Sequence, residues 1–265
     1  MKLGLVIVNT NPMYSVRELV HQFNDAGVRA VIVLDQFYDV LAEAAPQTSV
    51  EHIIVTRPLD LMSPSKQKLL GGLMMLMGKR PKIKGQDIID FKDLLAGGTS
   101  YGNHRASVDD ICALQYTGGT TGPSKGVMLT QSCLTANVAQ ALDVISVAPE
   151  SARYSVTALP LPLYHIYAFS LCVGVLPALR GHSVLIPDPR NIPLFVKAIK
   201  KSKIQIFCGL NSLFVALLEN KDFRRLDFDQ LKMTLSGGMP LMKSVADQWQ
   251  KVTGCIVSEG YGMTE

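Results

Sequence analysis

The sequence predicts an α/β fold with doubly wound, mostly parallel sheets and helices on both faces. Two observations lead to this prediction. Short apolar runs of strand length alternate along the chain with longer segments of helical periodicity. Many of these runs are continuously apolar, which is typical of strands that are buried on both faces of a sheet.

A strand, a helix and a second strand are predicted near the start of the chain. The helix begins at Ser15, because Ser15 and Glu18 form an S-x-x-E capping box. Gly27 is expected to end it in the left-handed conformation. The flanking strands and the inner face of the helix are "LGLVIV" (3–8), Leu19, Phe23, Ala26 and "AVIVL" (30–34).

The same alternation returns in the second half of the chain. We predict strands at "SVTAL" (155–159), "SVLIP" (183–187), "IQIFC" (204–208), "KMTLS" (232–236) and "CIVSE" (255–259). The helices predicted between them cover residues 164–179, 192–201, 211–220 and 240–252.

Composition indicates a soluble cytoplasmic protein. The chain has 265 residues and a formal net charge of +4, which is too small to indicate a nucleic-acid partner. Its cysteines are far apart without metal-ligand spacing, so we expect them to be reduced core residues. No secretory signal begins the chain, and no apolar run reaches the roughly 20 residues of a membrane-spanning helix.

Residues 61–105 interrupt the α/β pattern. Between Leu61 and Gln86 there is no acidic residue, and an apolar run, "LLGGLMMLM" (69–77), lies among basic residues. These are Lys66, Lys68, Lys79, Arg80, Lys82 and Lys84. One interpretation is peripheral contact of 61–86 with the inner face of an anionic membrane. The other interpretation is an excursion from the α/β pattern, whose apolar part packs on the domain while its lysines are solvated. The two glycines of the apolar run weaken any helix there.

The stretch "LQYTGGTTGPSKGVMLT" (114–130) predicts a loop that binds polyphosphate. Its glycines can adopt positive φ and bring backbone N–H groups close to a ligand, where successive N–H groups bind anions. Lys125 adds a mobile positive charge, and Thr117, Thr120 and Thr121 add hydroxyl donors. The expected chemistry is that of a nucleoside triphosphate.

This loop differs from the common nucleotide loop G-x-x-x-x-G-K-[ST], because Gly126 follows Lys125. It is also expected to join two strands, "ICALQY" (111–116) and "GVMLT" (126–130), with a helix capped by Thr130 only afterwards. A hairpin without a ligand is the alternative, although such hairpins usually have about two to five loop residues.

The loop resembles the phosphate-loop signature of the adenylate-forming (AMP-binding) superfamily, and three further stretches agree in order. "LPLPLYHIYAFS" (159–170) is similar to its second core motif, "LSGGMPL" (235–241) to its adenine-pocket turn, and "GYGMTE" (260–265) to its tyrosine–glycine–threonine–glutamate motif. The sequence elsewhere, as in "FCGLNSLFVALLENKDFRRLDF" (207–228), resembles bacterial long-chain fatty-acid–CoA ligases most. The resemblance implies the large domain of an acyl-CoA synthetase.

The resemblance also implies a role for each matching residue. The phosphate loop would bind the β- and γ-phosphates of ATP through Thr117, Gly118, Gly119, Thr120, Thr121, Gly122 and Lys125, and Tyr116 would also belong to the nucleotide site. The adenine would lie against Gly237, Gly238 and Tyr261, Gly262 would also belong to the nucleotide site, and Thr264 would contact the α-phosphate. Glu265 and Thr117 would ligate Mg²⁺, which prefers oxygen ligands beside phosphates. The residues expected to act in catalysis are His165, Lys125, Thr264 and Glu265.

His165 has two interpretations. By resemblance it lies where the acyl carboxylate, the α-phosphate and the coenzyme A thiol meet. A single histidine in an apolar stretch is otherwise most often a core residue with satisfied hydrogen bonds.

The implied function is ATP-dependent activation of a long-chain fatty acid to an acyl-adenylate and then to acyl-CoA. The expected partners are fatty acid, ATP and coenzyme A, and a homodimer is left open. Adenylation of an aryl or amino acid is an alternative, and so is a catalytically incomplete fragment that only binds nucleotide. The chain would be the central part of the large domain, divided into an α/β segment (1–60), the excursion (61–105) and a nucleotide-binding core (106–265). The catalytic lysine domain of the family would lie outside it.

Overall fold

A computed structural model describes residues 3–77, 83, 88–98, 102, 105–118, 122–146 and 153–265 of the chain. It confirms the α/β class, with mostly parallel sheets and helices. The chain forms two compact units. The first comprises residues 1–106 and 111–128, and the second comprises residues 107–110 and 129–265.

Among its described residues, the first unit contains two three-stranded sheets. Its strands are β1 (Ile7–Asn9), β2 (Ala30–Leu34), β3 (His52–Thr56), β4 (Ile88–Asp90), β5 (Ile111–Thr117) and β6 (Lys125–Thr130), of which β6 ends at the start of the second unit. Its helices are α1 (Val16–Ala26), α2 (Tyr38–Ala44), α3 (Pro64–Leu76) and α4 (Phe91–Gly97). The sheet orders are β1–β5–β6 and β2–β3–β4, and β1 pairs with β5 in parallel, as β3 does with β2 and β4.

Helix α1 has the predicted ends. The Ser15 backbone N–H donates to Glu18 Oε2 at 2.8 Å, and the Glu18 N–H donates to Ser15 Oγ at 3.4 Å, so the capping box is complete. Gly27 follows the helix with φ +61°, a left-handed conformation that glycine adopts without strain. Leu19 and Phe23 are buried in the core of this unit, as predicted.

Helix α2 and strand β3 were not predicted from the sequence. Leu41 and Ala44 of α2 are buried beside Leu19 and Phe23 of α1, so α2 completes the core of this unit. Its apolar stripe is only two turns long, which makes its helical periodicity weak.

The segment 61–105 contains more regular structure than we predicted. Strand β4 pairs in parallel with β3, so this part of the segment belongs to the α/β pattern. Helix α3 begins with Pro64, which is favourable at the first helical position, and continues through Gly71 and Gly72. None of its side chains is buried, so the apolar run does not pack into a core of the described chain.

The second unit contains one five-stranded sheet. Its strands are β7 (Val156–Leu159), β8 (His182–Leu185), β9 (Ile206–Gly209), β10 (Met233–Gly237) and β11 (Val257–Gly260). Its helices are α5 (Gln131–Ser146), α6 (Ile166–Phe169), α7 (Leu176–Ala178), α8 (Ile192–Ser202), α9 (Asn211–Glu219) and α10 (Lys243–Thr253). The strands lie in the order β11–β10–β9–β7–β8, and their pairings are parallel.

Helices cover both faces of this sheet, which confirms the doubly wound arrangement. On one face, Ala158 and Phe207 pack with residues of α8, α9 and α10, including Trp249. On the other face, their chain neighbours Leu159 and Cys208 pack with residues of α5 and α6. Adjacent residues of one strand point to opposite faces, so strands that are apolar throughout are buried on both sides.

The predicted helix 164–179 is interrupted by a π-helical segment. Residues Ser170–Val175 are π-helical between α6 and α7. Pro177 lacks an N–H and its ring crowds the preceding turn, which a wider helical turn can accommodate. A Cβ on Gly174 would lie 2.4 Å from a Val138 methyl group, so α5 packs closely on this segment because position 174 is glycine.

Other predictions about the chain need only small changes. Thr130 caps α5 as predicted, because the Cys133 N–H donates to its Oγ1 at 3.2 Å. All five cysteines are free, but Cys133 is exposed and is therefore not a core residue.

Within the described ranges, no helix combines the length and the apolar character needed to cross a membrane.

Candidate active site

The predicted phosphate loop joins strand β5 to strand β6. Tyr116 and Thr117 end β5, and Lys125 begins β6 as an exposed side chain. No helix follows the loop directly, so it differs from the common nucleotide loop in its structural context as well as its spacing. Gly119, Thr120 and Thr121 lie outside the described residues.

Glycine is present at the described loop positions for different physical reasons. A Cβ on Gly118 or Gly122 would meet no atom within 4 Å, so the main chain at these positions is open to a ligand. A Cβ on Gly126 would lie 2.9 Å from Cζ of Tyr116, so this glycine is required by a close contact. Positive φ, which we expected in the loop, is found at neither Gly118 nor Gly126.

Two side chains of α1 contact the two ends of the loop, at Tyr116 of β5 and at Ser124 directly before β6. His21 Nε2 lies 2.9 Å from the Ser124 carbonyl oxygen, and the Tyr116 hydroxyl donates to Asp25 Oδ2 at 2.5 Å. Burial raises the pKa of the Tyr116 hydroxyl, and the adjacent Asp25 carboxylate raises it further. Tyr116 therefore stays a protonated donor well into alkaline pH.

The carboxyl edge of the five-stranded sheet brings several predicted site residues together. Gly237 ends β10 and is paired in register with Gly260, which ends β11 and is followed directly by Tyr261. The strand order reverses at β7, which lies between β8 and β9, and ligands of open α/β sheets bind at the carboxyl ends of strands beside such a reversal. Tyr261 is 94% exposed at this edge.

The two glycines of the predicted adenine turn are both explained by the structure. Gly238 has φ +78°, which an L side chain rarely adopts. A Cβ on Gly237 would lie 3.0 Å from Cζ of Tyr167, so Gly237 allows the Tyr167 ring to lie against the strand.

His165 lies at the same edge, in the segment after β7. It is exposed, so it is not a buried core histidine. It caps α6, because its Nδ1 accepts the Tyr167 N–H at 3.3 Å. An Nδ1 that accepts leaves the proton of a neutral imidazole on Nε2, where it is available to a ligand.

Tyr167 and Asn211 were not predicted from the sequence. The Tyr167 hydroxyl is buried without a hydrogen-bond partner in the described part of the chain, and burial raises its pKa. Asn211 Oδ1 accepts the Met242 N–H at 3.0 Å, which fixes the segment after the Gly237–Gly238 turn. Asn211 is a polar residue two positions after the end of the apolar strand β9, and that pattern was the available signal.

Thr264 and Glu265 end the chain after Gly262. Thr264 is half-buried and Glu265 is exposed. The described residues contain no group of three or more His, Cys, Asp or Glu side chains that could hold a metal ion. A single exposed carboxylate suits Mg²⁺ that takes its remaining ligands from phosphate oxygens and water.

The predicted site residues thus belong to two different units. The loop residues are in the first unit, whereas His165, Gly237, Gly238 and 261–265 are in the second. The first unit also has a cavity of about 480 Å³ that contains none of the predicted site residues. It lies where β2, β3 and β4 end, and Asp35, Arg57, Lys68 and Asp90 contribute to its lining.

Comparison with known proteins identifies the family. The family model described as AMP-binding enzyme matches residues 1–265. The long-chain-fatty-acid–CoA ligase of Haemophilus influenzae is 39% identical, and that of Salmonella typhimurium is 38% identical. Each alignment covers 100% of this chain and 48% of the relative.

A solved structure has the same fold. The anthranilate CoA ligase AuaEII, in complex with anthranoyl-AMP, superposes with a TM-score of 0.79 at 22% identity. The match covers 100% of this chain and 46% of that chain. The chain therefore belongs to the AMP-binding enzyme family, and it spans about half the length of the relatives that it matches.

Proposed function

We propose that the protein carrying this chain activates a long-chain fatty acid with ATP, first to the acyl-adenylate and then to acyl-CoA. Family membership and the identity with bacterial long-chain ligases support this proposal. The structural observation that carries it is the in-register pairing of Gly237 with Gly260 at the carboxyl ends of β10 and β11. This pairing supports an adenine site in the second unit, because it brings the Gly237–Gly238 turn next to Gly260, which the exposed Tyr261 follows directly.

In the first step, a carboxylate oxygen of the fatty acid forms a bond to the α-phosphorus of ATP. The bond from that phosphorus to the bridging oxygen breaks, and pyrophosphate leaves. Lys125 and the backbone N–H groups of the loop would stabilise the negative charge of the phosphates. Thr264 would contact the α-phosphate, and Glu265 would hold Mg²⁺, which would neutralise charge on the leaving pyrophosphate.

In the second step, the coenzyme A sulfur forms a bond to the acyl carbon. The bond between that carbon and the phosphate oxygen breaks, AMP leaves, and the thiol proton is released to solvent. We propose that the Nε2–H of His165 donates a hydrogen bond to the acyl group, because Nδ1 is occupied by the Tyr167 N–H.

The test is fatty-acid-dependent exchange of pyrophosphate into ATP by the full-length protein. Lys125→Ala should lower kcat/KM about 10- to 100-fold, because a hydrogen bond to a charged group contributes about 1.5–3 kcal/mol. Glu265→Gln should abolish the response to Mg²⁺. Lys221→Ala and Glu219→Gln, at exposed positions of the second unit, are matched controls and should leave the rate unchanged. Absence of exchange with every carboxylic acid tested would refute the proposal.

Activation of an aryl acid is the second candidate substrate class. It is favoured by the fold similarity to an anthranilate CoA ligase. A panel of saturated, aryl and amino acids in the same exchange assay separates these classes. An exchange rate that rises with the length of the acyl chain supports a fatty-acid substrate. Higher rates with aryl or amino acids would show that the substrate belongs to that class instead.

A chain of 265 residues that binds nucleotide without catalysis is the third candidate. Because a bound ligand stabilises the folded state by mass action, Mg·ATP should raise the melting temperature of this chain. A melting shift without exchange activity supports a nucleotide-binding segment. If the full-length protein is active but this chain shows neither a melting shift nor pyrophosphate exchange, other parts of the protein are needed for nucleotide binding.

We also propose that the protein is cytoplasmic and that 61–86 contacts an anionic membrane surface. Leu69, Leu73 and Leu76 share one face of α3 by their i, i+4, i+7 spacing, and are 75%, 52% and 87% exposed. The neighbouring basic residues complement anionic headgroups.

The membrane proposal is tested by co-sedimentation of the protein with vesicles. Binding should require anionic lipid and should weaken between low and high salt. Leu73→Glu should reduce it, whereas Leu194→Glu, at an exposed leucine of α8, should not. Salt-independent binding, or none, would contradict it. Light scattering on the same sample tests the homodimer.

A further inference from the structure

Helix α1 is a fixed element of the first unit. Its N-terminus is closed by the Ser15–Glu18 capping box, and Leu19 and Phe23 are buried in the core of the unit. Gln22 is also buried and donates from Nε2 to the Asn9 carbonyl oxygen at 3.1 Å. Side chains on this helix can therefore hold less regular parts of the chain in place.

Asn9 continues this contact to the strand that leads into the loop. Its Nδ2 donates to Gln115 Oε1 at 2.9 Å, and Gln115 is buried on β5 directly before Tyr116. The position of β5 relative to α1 is thus fixed at the point where the phosphate loop begins.

His21 contacts the other end of the loop. Its Nε2 lies 2.9 Å from the Ser124 carbonyl oxygen, so Nε2 donates the hydrogen bond. Ser124 and Lys125 share a peptide bond, which is planar and trans. The carbonyl of Ser124 faces His21, and the N–H of Lys125 therefore points in the opposite direction.

Asp25 contacts the end of β5, directly before the loop, from one helical turn further along α1. It accepts the Tyr116 hydroxyl at 2.5 Å, and the Tyr116 ring lies against Gly126 on the neighbouring strand. His21 and Asp25 are four residues apart and therefore share a face of the helix. One helix face thus contacts β5 before the loop and the main chain directly before Lys125.

We propose that His21 and Asp25 are positioning residues that hold the two ends of the phosphate loop, and that His21 sets the direction of the Lys125 backbone N–H. This inference rests on the proposed function, because it assigns these residues to the binding of ATP phosphates. Neither residue is expected to contact ATP itself.

The kinetic test compares three histidine variants of the full-length protein. His21→Ala should raise KM for ATP about five- to tenfold and change kcat less than about twofold, the size expected for one hydrogen bond. His21→Gln should stay within about twofold of the wild type, because its amide can donate to the Ser124 carbonyl. His52→Ala, at an exposed histidine of the same unit, is the matched control and should change nothing.

A second readout does not depend on the reaction. Trypsin cleaves after lysine, so the rate of cleavage between Lys125 and Gly126, measured by mass spectrometry, reports on how the loop is held. His21→Ala and Asp25→Ala should raise this rate severalfold, and the rate of cleavage after Lys221 should be unchanged.

The two tests separate this inference from the proposed function. If the wild type is active and His21→Ala equals it in KM and in cleavage rate, the positioning role is wrong and the proposed function stands. If His21→Gln is as impaired as His21→Ala, the hydrogen bond is not the cause and the inference is also wrong. If neither the wild type nor any variant has activity with any acid but cleavage after Lys125 still increases in His21→Ala, the contact holds the loop and the proposed function is wrong.

Discussion

Two buried threonines of the five-stranded sheet should respond in opposite ways to the same substitution. Thr234 Oγ1 accepts the indole N–H of Trp249 at 3.1 Å, and both side chains are inaccessible to solvent. Thr157 is equally buried, but its hydroxyl has no hydrogen-bond partner among the described residues. Replacement by valine removes one hydroxyl in each case and keeps the branched shape.

The sign of each effect follows from what the hydroxyl does. Thr234→Val leaves the indole N–H of Trp249 buried and unpaired, which should lower the free energy of unfolding by about 1–3 kcal/mol. Thr157→Val removes a hydroxyl that is already unpaired, so the free energy of unfolding should stay equal or rise by up to about 2 kcal/mol. The two variants should therefore differ by at least about 1 kcal/mol.

Trp249 is the single tryptophan of the chain and lies among Phe207, Phe214 and Phe223, so its fluorescence reports on this core. Urea unfolding followed by this fluorescence should place the Thr234→Val midpoint about 0.5–1.5 M below the wild type, with an unchanged slope. If Thr157→Val is destabilised as much as Thr234→Val, the hydrogen-bond argument is wrong and shape alone decides the cost.

Three further outcomes are expected. Hydrogen bonding to the Arg57 guanidinium lowers the pKa of the Asp90 carboxyl. The stability that the Asp90 carboxylate contributes is therefore present above the ordinary pKa of about 3.9 and is lost as pH falls through the lowered value. The difference in urea midpoint between wild type and Asp90→Asn should shrink from pH 6 to pH 3. Gly27→Ala should lower the free energy of unfolding by about 1 kcal/mol in the same urea titration, because alanine is strained at φ +61°. Gly237→Ala should lower the free energy of unfolding by about 1–3 kcal/mol through overpacking against Tyr167. This loss should largely vanish in a Tyr167→Leu background. An unchanged loss there would exclude the Tyr167 ring as its cause.

The parts of the fold that the sequence predicts well depend on local chemistry. The capping box of Ser15 and Glu18 and the left-handed Gly27 involve residues close in sequence, and the structure has them where we predicted them. The apolar strands of the second unit were found for a similar reason, since burial on both faces leaves a continuous apolar run. Their ends differ from the prediction by a few residues, because strand ends depend on the length of the partner strand.

The missed parts depend on contacts between residues far apart in sequence. The short helix α2 is stabilised by packing on α1, and β4 by pairing with β3. Neither has a long periodic pattern of its own. The contact of His21 with Ser124 joins residues that are 103 positions apart, and nothing in the pattern around His21 indicates it.

The glycines of the predicted site show most clearly what a motif conveys. Gly126 and Gly237 both belong to glycine-rich signatures, and such signatures are usually explained by backbone freedom or by the approach of a ligand. In the structure each is also required by a tyrosine ring, since a Cβ would lie 2.9 Å from Tyr116 or 3.0 Å from Tyr167. Gly238, in contrast, needs its positive φ. Loss of activity on replacing Gly126 or Gly237 would therefore not by itself demonstrate a contact with ATP. The corresponding tyrosine must be varied as well, because only a loss that persists without the ring can be assigned to the nucleotide.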